Sequence, residues 1–251
     1  MTGAAALSAL AASRAGAGLV FIACPESLND ILEVKCTEAL TRPMPETDQR
    51  SLSLAAEEPI AESANHVDAV VLGPGLSQHP QTQELVRRLA RRIQRPLLLD
   101  ADGLNAFAGR ADDLRERPAP TVLTPHPGEF ARLSGREIAV TQADRPGAAR
   151  ELAASTGCIV LLKGAGTVIA EPGGDAWINP TGSSGLASGG SGDVLSGMIG
   201  AFLAGGVGAP EAAVAGAYYH GRAAEVAASQ GTRGMVPPKL LEVLPGIFPE
   251  D

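Results

Sequence analysis

Ser183-Ser184-Gly185-Leu186-Ala187-Ser188-Gly189-Gly190-Ser191-Gly192-Asp193 runs directly into the apolar segment Val194 to Leu203. Glycines at this spacing let several backbone N–H groups converge on one anion, and a helix start adds free N–H groups and the positive end of its dipole. The pattern predicts a phosphate-binding loop, because a flexible Gly/Ser linker would not feed so apolar a helix. Asp193 stands at the junction and has two readings. It is a helix cap that accepts the first N–H bonds, or a carboxylate that those bonds keep ionised and ready to take a proton from a hydroxyl held beside the loop.

A second element, Val160-Leu161-Leu162-Lys163-Gly164-Ala165-Gly166-Thr167, is an apolar strand ending in Lys-Gly-x-Gly-Thr. It is not a P-loop, since G-x-x-x-x-G-K-[ST] is absent. Lys163 is either solvated, as most strand-end lysines are, or turned to phosphate. Three more strand ends carry polar groups. Gly73-Pro74-Gly75-Leu76 is a rigid turn through which a ligand could touch backbone. Asp100-Ala101-Asp102-Gly103-Leu104-Asn105 is a helix start or a polar wall. In Thr124-Pro125-His126-Pro127-Gly128-Glu129 the prolines hold Thr124 and His126 extended and leave Glu129 at the start of the next helix. Ligands in open α/β sheets gather at the carboxyl ends of strands, so these ends predict one shared site. His66, His79 and His220 lack such support and read as surface or packing residues.

The elements that must hold these ends are strands at Leu19 to Ala23, Ala69 to Leu72, Leu97 to Leu99, Thr121 to Leu123, Ile159 to Leu162 and Thr167 to Ala170. They alternate with helical patterns at Gln81 to Ile93, Glu129 to Leu133, Arg145 to Thr156 and Val194 to Ala204. Such alternation predicts an α/β fold with a mostly parallel central sheet and helices on both faces. Arg42 to Pro59, acidic and Pro-containing, reads as a surface excursion. Without a long linker or an internal repeat, residues 1–251 are expected to form a single domain. At the front, Met1-Thr2-Gly3 leads straight into a helix where a strand and a glycine-rich turn would ordinarily come first. The expectation is that the first strand is missing, its place left to a longer chain or to another segment.

Composition narrows the function classes. With 251 residues, a formal charge of −8 and 3% aromatic residues, the chain lacks the basic face and stacking platforms of a nucleic-acid binder. Cys24, Cys36 and Cys158 show neither a C-x-x-C pair nor zinc-like spacing, and read as small buried hydrophobes in a reducing cytoplasm. No apolar run has the length of a membrane span. The Ala- and Leu-rich start has no basic segment before it and carries Arg14 where a cleavage site would be neutral, so it reads as a helix of the fold.

Taken together, Gly73-Pro74-Gly75-Leu76, Asp100 to Asn105, Thr124 to Glu129, Lys163-Gly164 and Gly189-Gly190-Ser191-Gly192-Asp193 resemble, in order and spacing, the ADP- or ATP-dependent NAD(P)H-hydrate dehydratases of the ribokinase-like superfamily. The resemblance covers nearly the whole chain, up to Tyr219-His220-Gly221 and Leu244-Pro245. It implies repair of hydrated nicotinamide cofactors. The ring hydroxyl of the S epimer of NADHX or NADPHX is phosphorylated by ADP or ATP, and phosphate is then expelled to restore NADH or NADPH.

By the same match Asp193 is the base, and the N–H groups of Gly190, Ser191 and Gly192 stabilise the transferring phosphoryl group. Lys163, Gly164, Ala165, Gly166 and Thr167, with Ser183, Ser184, Gly185, Leu186, Ala187, Ser188 and Gly189, hold the nucleotide. Ala4, Gly75, His126, Pro127, Gly128, Glu129, Phe130, Ala131 and Arg132, with Asp193, hold NAD(P)HX. Glu129 also corresponds to an acidic residue that acts indirectly on Mg2+, and the resemblance implies a homotetramer. The family's opening strand and Gly-Gly-Ser turn are absent, and Ser188 and Pro237-Pro238 depart from the common pattern. Two other readings share parts of this motif set: a ribokinase-like kinase of a small vitamin-type alcohol, and a nucleotide-binding protein without turnover.

Overall fold

The computed structural model describes residues 1–249; residues 250 and 251 of the expected domain lie outside the described residues. In chain order the elements are α1 (Thr2–Arg14), β1 (Phe21–Pro25), α2 (Asn29–Lys35), β2 (Leu40–Met44), α3 (Glu57–Ala64), β3 (Val70–Leu72), α4 (Pro80–Arg92), β4 (Leu97–Leu99), α5 (Asp102–Asn105) and β5 (Thr121–Leu123). There follow α6 (Pro127–Ser134), α7 (Ile138–Ala143), α8 (Arg145–Thr156), β6 (Ile159–Leu162), β7 (Val168–Ala170), β8 (Ala176–Ile178), α9 (Ser191–Ala204), α10 (Ala209–Ala227) and α11 (Pro237–Val243).

Six strands form the main sheet in the order β3-β4-β5-β6-β7-β8. The first four pair in parallel, and β7 and β8 return antiparallel as an edge hairpin. Covering by helices on both faces explains the strand composition: β4, β5 and β6 are buried throughout and carry unbroken apolar runs. Their side chains alternate. Leu97 and Leu99 enter a core with Leu85 and Leu89 of α4 and Leu152 of α8. Leu98, Val122 and Leu161 enter another with Leu195, Ile199 and Leu203 of α9 and Ala212, Ala213 and Ala217 of α10. Each such side chain contributes roughly 1.5–3 kcal/mol when removed from water.

α9 is the central helix. From Val194 to Ala201 every residue is buried, because the sheet, α1 and α10 each take one of its faces. Small residues make this possible. A Cβ at Gly197 would overlap the Ser8 carbonyl of α1, and one at Gly216 of α10 would overlap the Ile199 side chain.

One expectation changes. Arg42 to Pro59 is not a surface excursion: its start belongs to β2, which pairs in parallel with β1, and Glu46 bridges to Leu52 in a turn. Thr47, Ser51, Leu52 and Ser53 are buried, and Thr82 of α4 donates its hydroxyl to Leu52 O at 2.8 Å. At the front the structure opens on α1. β1 and β2 form their own two-stranded sheet, and residues of β1 and β3 line a groove of about 690 Å³ floored by small residues of α1 and α9. Among the described residues no strand lies between β1 and β3.

Candidate active site

The predicted strand ends converge. Gly73, with φ of 143°, leaves β3 against the Asp100 carbonyl at the end of β4, where a Cβ would overlap it. Only glycine accommodates both that φ and that approach. Asp102 Oδ2 accepts the Ser77 N–H at 2.9 Å, so the turn after β4 holds the turn after β3. Arg132 Nε donates to Asn105 Oδ1 at 3.0 Å, tying in the helix after β5, and the Lys163 N–H donates to Pro125 O at 2.9 Å, tying in β6. The start of α1 closes one side, its Met1 ammonium donating to the Gly75 carbonyl.

Within this frame the Pro-bracketed segment is a capping box. His126 is the N-cap of α6, and its Nδ1 accepts the N–H groups of Gly128 at 2.9 Å and Glu129 at 3.3 Å. Glu129 Oε2 accepts the His126 N–H at 2.8 Å in return. Two of the free N–H groups of the helix start are thereby satisfied by its own neighbours.

Buried charges lie beneath. Lys163 Nζ donates to Asp100 Oδ1 at 2.8 Å and lies 3.7 Å from Glu129 Oε2. Asp100, itself only 1% exposed, accepts the Ser196 hydroxyl of α9 on its other oxygen at 2.8 Å. Burial alone would push the Lys163 ammonium down, but Asp100 and then Glu129 hold it above its ordinary value. The structure therefore turns Lys163 inward, under the first turn of α9: a Cβ on Gly192 would meet Nζ at 3.4 Å. Its charge underlies the Gly-rich loop from below, an orientation that neither sequence reading of this lysine foresaw.

Asp193 is not the helix cap. The N-cap of α9 is Gly190, in the left-handed region at φ 95°, and the Asp193 side chain makes no capping bond. Among the described residues its carboxylate has neither a hydrogen-bond nor an ion-pair partner. Burial first, and the charge of Asp100 second, raise it to about 6 against the opposing pull of Lys163. A half-buried carboxyl poised near neutrality with no structural partner is suited to general-base work.

One Gly-rich loop leads into the helix that bears this carboxyl, and the other begins at Lys163, whose ammonium lies under Gly192. Thr167 Oγ1 donates to Gly164 O at 2.9 Å and closes the Lys163 to Thr167 turn, while Ser183 Oγ caps the one-turn helix Ser184–Leu186. Sequence reasoning passed over Arg145. From the start of α8 its guanidinium donates to Leu162 O at 2.9 Å and packs directly on Gly164. Only the order of the loops along the chain could have hinted at it. His79 caps α4 by accepting the Gln81 N–H, and His220 is buried, in keeping with its reading as a packing residue.

Three buried side-chain atoms have no partner among the described residues: Arg145 Nε, Ser188 Oγ and His220 Nε2. Arg145 sits against one loop, Ser188 belongs to the other, and His220 lies on α10, to which Asn179 and Thr181 bond. Unsatisfied buried polar atoms are uncommon and costly, so Arg145 Nε and Ser188 Oγ leave each loop with a polar atom open to a further partner.

Comparison with known proteins agrees. A family described as NAD(P)H-hydrate dehydratase matches residues 1–246. A bifunctional NAD(P)H-hydrate repair enzyme of Moorella thermoacetica is 47% identical over 249 residues, covering 99% of this chain and 47% of that protein. The chain thus spans about half the length of the curated relatives it matches. An ADP/ATP-dependent NAD(P)H-hydrate dehydratase of Bacillus subtilis, crystallised with ATP and Mg2+, superimposes with a TM-score of 0.82 at 34% identity, covering 98% of this chain and 84% of that one. A ribokinase-like superfamily protein of Enterococcus faecalis gives 0.81 at 25% identity, with 97% and 81% covered.

Proposed function

The chain belongs to the NAD(P)H-hydrate dehydratase family, and from that premise we propose that it dehydrates NADHX or NADPHX, S epimer, in an ADP- or ATP-dependent reaction. The observation that carries this reading is the unpartnered Asp193 carboxyl, raised to about 6, in the first turn of a helix led in by a Gly-rich loop. Asp193 takes the proton from the ring hydroxyl as its oxygen attacks the terminal phosphorus of the nucleotide. The bond from that phosphorus to the nucleotide's bridging oxygen breaks, and AMP leaves when ADP is the donor. The N–H groups of Gly190, Ser191 and Gly192 meet the charge that develops on the phosphoryl oxygens. The ring nitrogen then drives out phosphate, a far better leaving group than hydroxide, and the neighbouring carbon gives up a proton to restore the dihydropyridine.

The nucleotide fits the residues present. Lys163 to Thr167 and Ser183 to Gly189 line the two loops, and the unsatisfied atoms of Arg145 and Ser188 offer polar partners beside them. The hydrated cofactor falls to the wall of Ala4, Gly75 and His126 to Arg132, on the α1 and α6 side of Asp193. For magnesium, no cluster of three or more His, Cys, Asp or Glu among the described residues is arranged to hold an ion. Three carboxylates, Asp100, Glu129 and Asp193, nonetheless surround Lys163, with the Met1 ammonium acting further on Asp193, an excess of negative charge that suits a Mg2+ that arrives on the nucleotide phosphates and keeps its waters. Glu129, already engaged with the His126 N–H and Lys163, would act on it indirectly, and the ion would neutralise phosphate charge.

The three cysteines are free and buried, which suits a reducing cytoplasm, and no described helix is long and apolar enough to cross a membrane. Assembly as a homotetramer is part of the same reading and rests on family resemblance.

The test is to incubate the chain with NADHX and ADP or ATP and follow the dihydronicotinamide absorbance and the products. Return of the absorbance with release of phosphate and AMP, or of ADP when ATP is used, is expected. A product that stays phosphorylated would move the chain to the vitamin-alcohol kinases. Nucleotide binding with no product from either donor would leave it a binding protein.

A further inference from the structure

The turn from Lys163 to Thr167 leaves β6 with Gly164, Ala165 and Gly166 exposed at its tip. Gly164 at φ 153° and Gly166 at φ 61° give it a backbone that other residues rarely adopt. Thr167 Oγ1 closes it on Gly164 O, while among the described residues the N–H groups of Ala165 and Gly166 make no hydrogen bond. Adjacent free N–H groups of this kind are the beginning of an anion nest.

Arg145, the first residue of α8, grips this turn from behind. Its Nη2 donates to Leu162 O at 2.9 Å, just before the turn, and approaches Gly166 O at 3.5 Å, near its far end. Its Nη1 donates to Gln142 Oε1 at 3.0 Å. The guanidinium lies so close on Gly164 that a Cβ there would come within 2.7 Å of Nη1. Every one of these partners is neutral. The adjacent Asp144 carboxylate is occupied elsewhere, accepting the Gly147 N–H at 2.9 Å as the cap of α8.

A permanent cation is badly placed here on structural grounds alone. The positive end of the α8 dipole falls at Arg145, the first turn of that helix carries no acidic residue, and burial pushes the guanidinium below its ordinary value. A neutral donor would bond the same carbonyls without that cost. Nor is Lys163 free to serve the turn, since its ammonium is bonded to Asp100 and lies 3.7 Å from Glu129 Oε2. A nucleotide brings more negative charge to a place that already holds Asp100, Glu129 and Asp193. Arg145 is a cation beside that place whose partners leave its charge unneutralised.

We propose that Arg145 is a positioning residue for nucleotide binding: it holds the Lys163 to Thr167 turn by its carbonyls and sets behind it a positive charge that draws the phosphates in. The inference rests on the reading of that turn as part of the nucleotide site.

The test compares Arg145→Gln and Arg145→Lys with the parent chain by direct titration of ADP at about 50 mM and about 500 mM salt, by the KM for NADHX and by thermal melting. At low salt Gln is expected to weaken ADP binding about tenfold, the order of an interaction that involves a charge. At high salt the gap should close to within about threefold, because screening removes a charge effect and leaves a packing effect untouched. Lys keeps the charge and loses the planar fork, so it should bind ADP better than Gln at low salt. The KM for NADHX should stay within about twofold of the parent in both variants. Unchanged ADP affinity in Gln, a loss of equal size at both salt concentrations, or a Lys variant no better than Gln would make Arg145 a structural brace and overturn the proposal, as would a Gln variant that fails to fold. Because ADP titration does not depend on turnover, a parent chain that binds ADP without dehydrating NADHX would refute the proposed activity and leave this test intact.

Discussion

Lys163 Nζ lies 2.8 Å from Asp100 Oδ1, on a carboxylate whose other oxygen takes the Ser196 hydroxyl of α9. The ends of β6 and β4 and the second turn of α9 therefore meet in one buried chain of charge, directly below the turn that bears Asp193. The arrangement sets two opposing fields on the base. Asp100 favours its protonated form, Lys163 its ionised form, and burial tips the balance toward a value near neutrality.

A base must be ionised to act. With the Asp193 carboxyl at about 6, kcat/KM for NADHX should be level above pH 7 and fall as the pH drops through 6. The pH profile of initial rates checks it; a limb near 4, the value of an ordinary carboxyl, would mean that Asp193 is not the group that titrates.

Lys163→Met removes the counter-charge and leaves Asp100 and Glu129 facing each other without it. Breaking a buried pair in this way typically costs about 3–5 kcal/mol, so the melting temperature should fall. In any protein that still folds, the acid limb should move above 6, because Lys163 is the first of the two groups, with the Met1 ammonium, that lower Asp193. A melting point and a pH profile both unchanged would show that the ion pair contributes nothing.

Asp193→Asn should abolish turnover by about 10²–10⁴-fold while sparing nucleotide binding. It should also stabilise the protein. A carboxyl whose folded pKa is raised binds protons more readily folded than unfolded, so its contribution to stability falls as pH rises from about 4 to 6 and stays lost above. The amide has no such cost. At pH 8 the variant should melt a few degrees higher than the parent, roughly 2–4 °C per kcal/mol for a chain of this size, and the gap should close below pH 4. Calorimetry at the two pH values reads the difference directly.

Gly73→Ala should be among the most damaging single changes. Both the φ of 143° and the Asp100 carbonyl forbid a Cβ, so β3 and β4 would have to part where they hold the site together. Gly109→Ala, at a positive φ with open space around it, provides the control for backbone strain alone. If both variants melt alike, the close approach at Gly73 does not matter.

Much of the fold was legible because burial on both faces leaves a plain mark: Leu97-Leu98-Leu99 and Ile159 to Leu162 can hardly be anything but central strands. Elements at the periphery leave no such mark. β2 contains Arg42 and Pro43 and is largely exposed, and β8 is an edge strand whose Trp177 and Ile178 face solvent. The site divides in the same way. Glycines, prolines and Asp193 announce themselves through local backbone demands. The partner of Lys163 lies 63 residues away, and the Ser196 hydroxyl that meets the same carboxylate lies 96 residues from it. Such pairings exist only once the sheet has stacked its strand ends, and no local pattern encodes them.

The interment of α9 among the sheet, α1 and α10 bears on how the protein fails when heated. A catalytic group on a surface loop can fray long before its domain melts, but the amides from Val194 to Ala201 can reach solvent only when the core opens as a whole. Their hydrogen exchange should therefore track global unfolding, among the slowest in the chain. Thermal inactivation should coincide with loss of the fold and not precede it. The element that carries the base is also the keel of the molecule, and loosening one releases the other.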